Sequence, residues 1–133
     1  MSLDEQLASS LKAVPECVAA GYVDVQTGML LSIKTMDSHP TEVMDLLAAA
    51  TAELFQGPNV IAIEDIFKKA RGTQSDDHYF KEIIVMSENL LHVFIRGKSL
   101  QEQIVVFVCR KSVNLGMAIT KARAEVGKLE AAL

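Results

Sequence analysis

The chain has 133 residues, of which 50% are hydrophobic and 23% are charged, with a formal net charge of −4. This length predicts one domain, and a chain of this size buries enough surface to fold without a metal or a disulfide. The charge is spread along the chain, which disfavours nucleic acid as a partner, because a grip on phosphate backbones requires clustered Lys and Arg. No apolar run reaches the roughly 18 to 20 residues of a membrane span, and the first residues carry no secretion signal, so we expect a cytoplasmic protein.

The first part of the chain predicts a helix followed by a β-hairpin. Apolar residues recur at helical spacing over residues 3–14, before Pro15 ends the helix. Residues 17–24 and 29–36 are rich in Val, Ile and Leu, which is typical of strands. Gly28 lies between them, where a tight turn needs a positive φ. A phosphate-binding loop would open into a helix, whereas the alternation after Gly28 predicts a strand, so we interpret this segment as a turn.

The next helix, over residues 43–56, is apolar nearly all round. One stripe, which we expect to face the core of the same chain, consists of Val43, Leu46, Leu47, Ala50 and Leu54, and a second consists of Met44, Ala48, Thr51 and Phe55. A helix on the surface of a monomer needs only one such stripe. Leaving Met44 and Phe55 in water would forgo roughly 1.5 to 3 kcal/mol each, so we expect a second copy of the chain to cover them. The alternative is that the following helix covers this stripe within one chain.

The second half of the chain predicts that following helix, three strands and a final helix. The helix covers residues 60–70, although residues 60–63 alone are also consistent with a short strand, and the polar residues 73–77 predict a loop. The predicted strands cover residues 79–87, 90–96 and 103–110, and the closing helix covers residues 113–131. The last strand shows no alternation, so we expect it in the middle of the sheet, with layers on both sides.

The motifs for nucleotide and metal binding are incomplete. Residues 97–99, Gly-Lys-Ser, match the end of a phosphate-binding loop, but His92 stands where the first glycine is needed and strands flank the segment. His39, His78 and His92 have no partner at metal-ligand spacing. We therefore predict no metal and no cofactor.

The other reactive side chains form no catalytic set. Cys17 and Cys109 lie in apolar runs, where a free thiol commonly acts as a small hydrophobe, with a disulfide or a reactive thiol as the alternative. Glu64, Asp65 and Glu102 occupy polar positions, where charge normally faces water. No serine has the setting of a nucleophile. We therefore predict no catalytic residues and no enzyme activity.

The order of predicted elements resembles that of the roadblock / dynein light chain family. The residues that carry the resemblance are Val-Ala-Ala-Gly-Tyr-Val-Asp-Val-Gln-Thr-Gly-Met-Leu-Leu over 18–31 and Val-Val-Phe-Val-Cys-Arg-Lys-Ser-Val-Asn-Leu-Gly-Met-Ala over 105–118. Asn114 corresponds to the start of the family's last helix. The resemblance implies an α+β sandwich, a five-stranded antiparallel sheet with helices on both faces, in a single domain over residues 1–133. Residues 58–72 are longer than the family's usual link, and the loop 73–78 is extended.

The resemblance also implies a non-catalytic homodimer that binds another protein, in many cases as a scaffold or regulator of a small Ras-like GTPase. Pairing would occur through the central helix and the third strand, which extends two sheets into one. The predicted helix contacts are Met44, Leu47, Ala48, Thr51 and Phe55, and the predicted edge-strand contacts are Phe80, Glu82, Ile84 and Met86. The alternative is a small-molecule sensor of PAS-, GAF- or profilin-like architecture, although the chain has few aromatic residues to stack on a ligand.

Overall fold

The computed structural model describes residues 2–36, 41–72 and 78–133, with the side chains of the second range described from residue 45 onward. The helices are α1 (Leu3–Ala13), α2 (Thr41–Gln56), α3 (Pro58–Arg71) and α4 (Leu115–Ala131). The strands are β1 (Cys17–Asp24), β2 (Met29–Thr35), β3 (Glu82–Met86), β4 (Leu90–Arg96) and β5 (Gln103–Arg110). The alternative of a strand over residues 60–63 is wrong, because these residues belong to α3.

The five strands form one antiparallel sheet in the order β2-β1-β5-β4-β3. The prediction that the continuous apolar run of β5 lies in the middle of the sheet is confirmed, and almost all of this strand is buried. Gly28 joins β1 to β2 at φ +71°, as the turn requires. The two edges are therefore β2 and β3.

Helices cover both faces of the sheet and give the molecule two apolar cores. On the first face, α1 and α4 pack on side chains that include Tyr22, Val93 and Phe107. On the second face, α2 lies over β1 and β2 and buries Phe55 against the sheet. The predicted α+β sandwich is confirmed, because residues of opposite parity in β5 point into the two cores.

The apolar stretch Asp45–Arg71 is bent at Gly57 and divides into α2 and α3. A Cβ at Gly57 would lie 2.7 Å from the Glu53 carbonyl oxygen, so the close approach of the chain at the bend requires glycine. Pro58 then occupies the first turn of α3, where its missing N–H is tolerated. By length and composition this stretch would suffice to cross a membrane. Within this stretch, Phe55 of α2 packs on the sheet of the same chain.

The last two helices have sequence-encoded ends. Asn114 caps α4, with its side-chain oxygen accepting a hydrogen bond from the Met117 N–H at 3.0 Å, so the predicted helix start is confirmed to within two residues. Gly72 ends α3 in the left-handed conformation at φ +68°. The predicted loop 73–77 lies outside the described residues.

Candidate interaction surface

Both α2 and α3 carry large apolar side chains that are exposed to water. On α2, Leu46 is 70% exposed and Leu54 is 38% exposed. On α3, the exposed apolar side chains are Ile61, Ile63, Ile66 and Phe67. Exposed apolar side chains in such numbers on neighbouring helices are typical of a contact surface. We call this set of six residues the helix surface.

The orientation predicted for α2 is wrong. Ala48, Thr51 and Phe55 were assigned to contact with a second copy, yet all three are buried against the sheet of their own subunit. Leu47 is half-buried at the margin of the same core. The side chain of Met44 lies outside the described residues. The stripe assigned to the core is instead the one that contains the exposed Leu46 and Leu54.

A physical reason for this orientation lies in the strand under α2. The helix packs where β1 carries the small residues Ala19 and Gly21, and Ala48 lines the same narrow gap. Small side chains on both sides let the helix approach the sheet closely. The hydroxyl of Thr51 is no obstacle to burial, because it donates to the Leu47 carbonyl oxygen of the same helix at 2.7 Å. The cavity left in this gap is about 10 Å³, room for about one water, and does not fit a sensor ligand.

The edge strand β3 is shorter than predicted and presents a mixed surface. Phe80 precedes the strand and is half-buried at the rim of the second core. The Arg123 guanidinium of α4 donates two hydrogen bonds to the Glu82 carboxylate oxygens, at 2.6 and 2.7 Å. This bidentate ion pair lowers the pKa of Glu82. Ile84 and Met86 are exposed. The outer side of β3 therefore offers an unpaired backbone with apolar neighbours, as an edge-to-edge contact requires.

A buried polar cluster fastens α3 to the lead-in of β3. Glu64 is only 3% exposed, so the expectation that its carboxylate faces water is wrong. His78 bridges two carboxylates, with Nδ1 at 3.1 Å from Glu64 and Nε2 at 3.1 Å from Glu102. The Tyr79 N–H also donates to Glu64 at 2.6 Å. Burial by itself would raise the pKa of Glu64, but these hydrogen bonds outweigh it and the pKa falls below its usual 4.5.

Arg96 lies beside this cluster and joins three segments of the chain. Its guanidinium donates to the backbone carbonyl oxygens of Phe55 at 3.1 Å, Phe80 at 2.8 Å and Gln101 at 2.7 Å. The side chain is 2% exposed, and burial lowers its pKa while Glu64 and Glu102 oppose that shift. The cluster was missed from the sequence because its members come together only across three elements. The one local signal is a charged residue at the end of an otherwise mostly apolar strand.

The Gly-Lys-Ser segment lies in the turn between β4 and β5, and this turn binds a carboxylate of the same chain. The backbone N–H groups of Lys98, Ser99 and Leu100 donate to the carboxylate of Glu130 at 3.2, 2.9 and 2.7 Å. A Cβ at Gly97 would lie 2.3 Å from the Leu100 carbonyl oxygen, so this turn requires glycine. The turn thus ties the end of α4 to the sheet.

Within residues 2–36, 41–72 and 78–133, no group of three or more His, Cys, Asp or Glu side chains has the arrangement of a metal site. His39 lies outside these ranges. His78 has both ring nitrogens engaged with carboxylates, and His92 has its Nε2 at 3.3 Å from the Ser87 hydroxyl.

Helices on both faces of a five-stranded antiparallel sheet define the class of α+β sandwich to which roadblock domains and profilins belong. Neither protein-family models nor the sequences of curated proteins match this chain. Solved structures match it over nearly its whole length, and the chain has a roadblock-type fold.

Three of these structures illustrate the likeness. The Roadblock/LC7 domain from Streptomyces avermitilis is 14% identical, with a TM-score of 0.69 over 98% of this chain and 97% of that one. The gliding protein MglB from Thermus thermophilus is 20% identical, with a TM-score of 0.69 over 98% of this chain and 87% of that one. Profilin from Schizosaccharomyces pombe is 14% identical, with a TM-score of 0.63 over 98% of both chains.

Proposed function

We propose that this protein is a non-catalytic, homodimeric interaction module of the cytoplasm that acts as a scaffold or regulator of a small Ras-like GTPase. The observation that carries the proposal is the helix surface, together with the unpaired edge of β3. Its roadblock-type fold supports it, because the resemblance to that family implies pairing through the central helix and the third strand.

Energetics favour covering the helix surface. Full burial of one large apolar side chain contributes about 1.5 to 3 kcal/mol, against a typical folding stability of about 5 to 15 kcal/mol. Leu46 and Ile66, at 70% and 66% exposed, have most of that contribution still to gain. A contact that buries even some of the six side chains of this surface therefore adds substantially to stability.

A dimer with a two-fold axis would bury the helix surface and pair the free edge of β3 at the same time. In such a dimer the same patch meets itself, so the helix surface of one subunit faces that of the other. The β3 strands can then run antiparallel across the axis and join two sheets into one. This arrangement replaces the predicted contacts of Ala48, Thr51 and Phe55 by the outward residues of the same helix.

Analytical ultracentrifugation at micromolar concentration tests the dimer. We expect a dimer for the natural chain and a monomer for Leu46→Asp, because a carboxylate at the centre of an apolar contact is left without a partner. Met117→Asp is the matched control, since Met117 is 53% exposed on α4, on the opposite face of the sheet from α2. A monomeric natural chain, or equal effects of the two variants, would refute the proposed interface.

A pull-down tests the partner. The purified chain, immobilised, is incubated with lysate containing either GTP or GDP, and retained proteins are identified by mass spectrometry. We expect a small GTPase whose retention depends on the nucleotide. Retention that is identical with both nucleotides, or the absence of any GTPase, would contradict this part of the proposal and leave the dimer standing.

A further inference from the structure

The two cysteines of the chain face each other across neighbouring strands. Cys17 opens β1, and its register partner on β5 is Cys109. The Arg110 N–H donates to the Glu16 carbonyl oxygen at 3.0 Å. In an antiparallel ladder, a bond between these neighbouring residues means that Cys17 and Cys109 themselves form a non-hydrogen-bonded pair. In such a pair the Cα atoms are about 4.5 Å apart, within the range of about 4.4 to 6.8 Å that disulfides span.

Both side chains also point to the same side of the sheet. They belong to the core between the sheet and α1 and α4, where Cys17 is 4% exposed and Cys109 is 0% exposed. Both thiols are free. Contact with Cys109, together with burial, raises the pKa of Cys17, whereas contact with Cys17 lowers the pKa of Cys109.

We propose that Cys17 and Cys109 form a redox modification site, in which hydrogen peroxide oxidises the two thiols to a disulfide between β1 and β5. The thiolate of one cysteine attacks one oxygen of the peroxide, the O–O bond breaks, and the released hydroxide takes the proton that this cysteine gave up. The sulfur of the other cysteine then attacks the resulting sulfenic acid and displaces its hydroxyl group, which leaves as water with the proton of the second thiol. Two thiols and one peroxide thus become one disulfide and two waters, with two electrons passing from sulfur to oxygen.

Access to the buried pair is provided at the end of the strand. Cys17 is the first residue of β1, so a small oxidant reaches it when only the α1–β1 junction opens. Glu16, the residue before it, has a φ of 52° without being glycine, which makes this junction the strained point of the described backbone. The disulfide would close the junction by fixing the start of β1 to the central strand.

Peptide mapping of the oxidised protein tests this proposal. The folded chain is treated with hydrogen peroxide, unfolded, and alkylated, and its mass is measured before and after digestion without reductant. We expect no alkylation, a linked Cys17–Cys109 peptide with two hydrogen atoms fewer than the two reduced peptides together, and reversal by a dithiol reductant. The oxidised chain should also show a higher thermal midpoint and the gel mobility of a single chain.

Cys17→Ala and Cys109→Ala serve as controls, with circular dichroism to confirm that each variant folds. Neither variant should give a linked peptide or a rise of the thermal midpoint with peroxide. Two alkylatable thiols in the treated natural chain would overturn the proposal. So would sulfinic acids without a linked peptide, or a link that forms only in denaturant.

Discussion

Replacing Phe55 by alanine is expected to destabilise the subunit far more than replacing its neighbour Leu54. The Phe55 ring is fully buried, with its centroid 6.5 Å from that of Phe94 and 5.2 Å from the Arg96 guanidinium carbon. Truncation of a buried phenylalanine lowers the free energy of unfolding by about 3 to 5 kcal/mol, because it removes apolar contact and leaves a cavity.

Leu54 provides the matched comparison on the same turn of the helix. It is 38% exposed, so Leu54→Ala removes only part of a side chain's burial, and we expect a loss of about 1 kcal/mol or less. Urea unfolding followed by circular dichroism measures both variants. With a slope of about 1 to 3 kcal/mol per molar urea, Phe55→Ala should lower the midpoint by roughly 2 M and Leu54→Ala by well under 1 M.

Protein concentration separates folding from association in this measurement, because subunit pairing makes apparent stability depend on concentration. The Phe55→Ala loss should persist at every concentration, since the ring packs within one subunit. A larger loss for Leu54→Ala than for Phe55→Ala at high dilution would show that α2 turns its other stripe to the sheet. The orientation described above would then be refuted.

Three further predictions concern pH and the Gly97 turn. The folded-state pKa of Glu64 lies below 4.5, so the stability that its carboxylate contributes should be complete above pH 4.5 and be lost as pH falls through the folded-state pKa. In Glu64→Gln, the urea midpoint should therefore change less with pH over this acidic range. Burial lowers the pKa of His92 below 6.5, so the natural chain should lose stability as pH falls below 6.5, and an undiminished slope in His92→Leu would contradict this. Glu130→Gln should speed hydrogen exchange of the backbone amides in the Gly97 turn and lower the unfolding free energy by about 1 to 3 kcal/mol, whereas unchanged exchange would mean that the carboxylate does not hold the turn.

The order and type of the elements could be predicted because each has a local signature. The apolar run of β5 indicates a strand buried on both faces, and Gly28 marks the turn that precedes a strand rather than a helix. The bounds of β4 and β5 follow from turn residues at their ends. The strand before them was predicted three residues too early, because Tyr79 and Phe80 have strand-like side chains but lie in the lead-in that the Glu64 cluster holds.

The orientation of α2 could not be predicted, because both of its stripes are apolar and periodicity does not rank them. Taken alone, large Leu side chains favour the core, yet the narrow gap over Ala19 and Gly21 accommodates the small Ala48 instead. The pairing of Cys17 with Cys109 depends on strand register, and the bridge from Glu64 through His78 depends on tertiary approach. Neither property leaves a pattern within a short stretch of sequence.

Arg96 binds three backbone carbonyl oxygens from segments that are far apart in the sequence, and it thereby fixes these segments to one another. The Arg96 guanidinium binds the end of α2, the segment before β3 and the turn after β4. None of these three segments can move alone without leaving a buried N–H of Arg96 without an acceptor. Displacement of the end of α2 would therefore either break one of these hydrogen bonds or require the segment before β3 to move with it. In the proposed dimer, a partner bound to α2 would therefore also affect the contact between the two β3 strands.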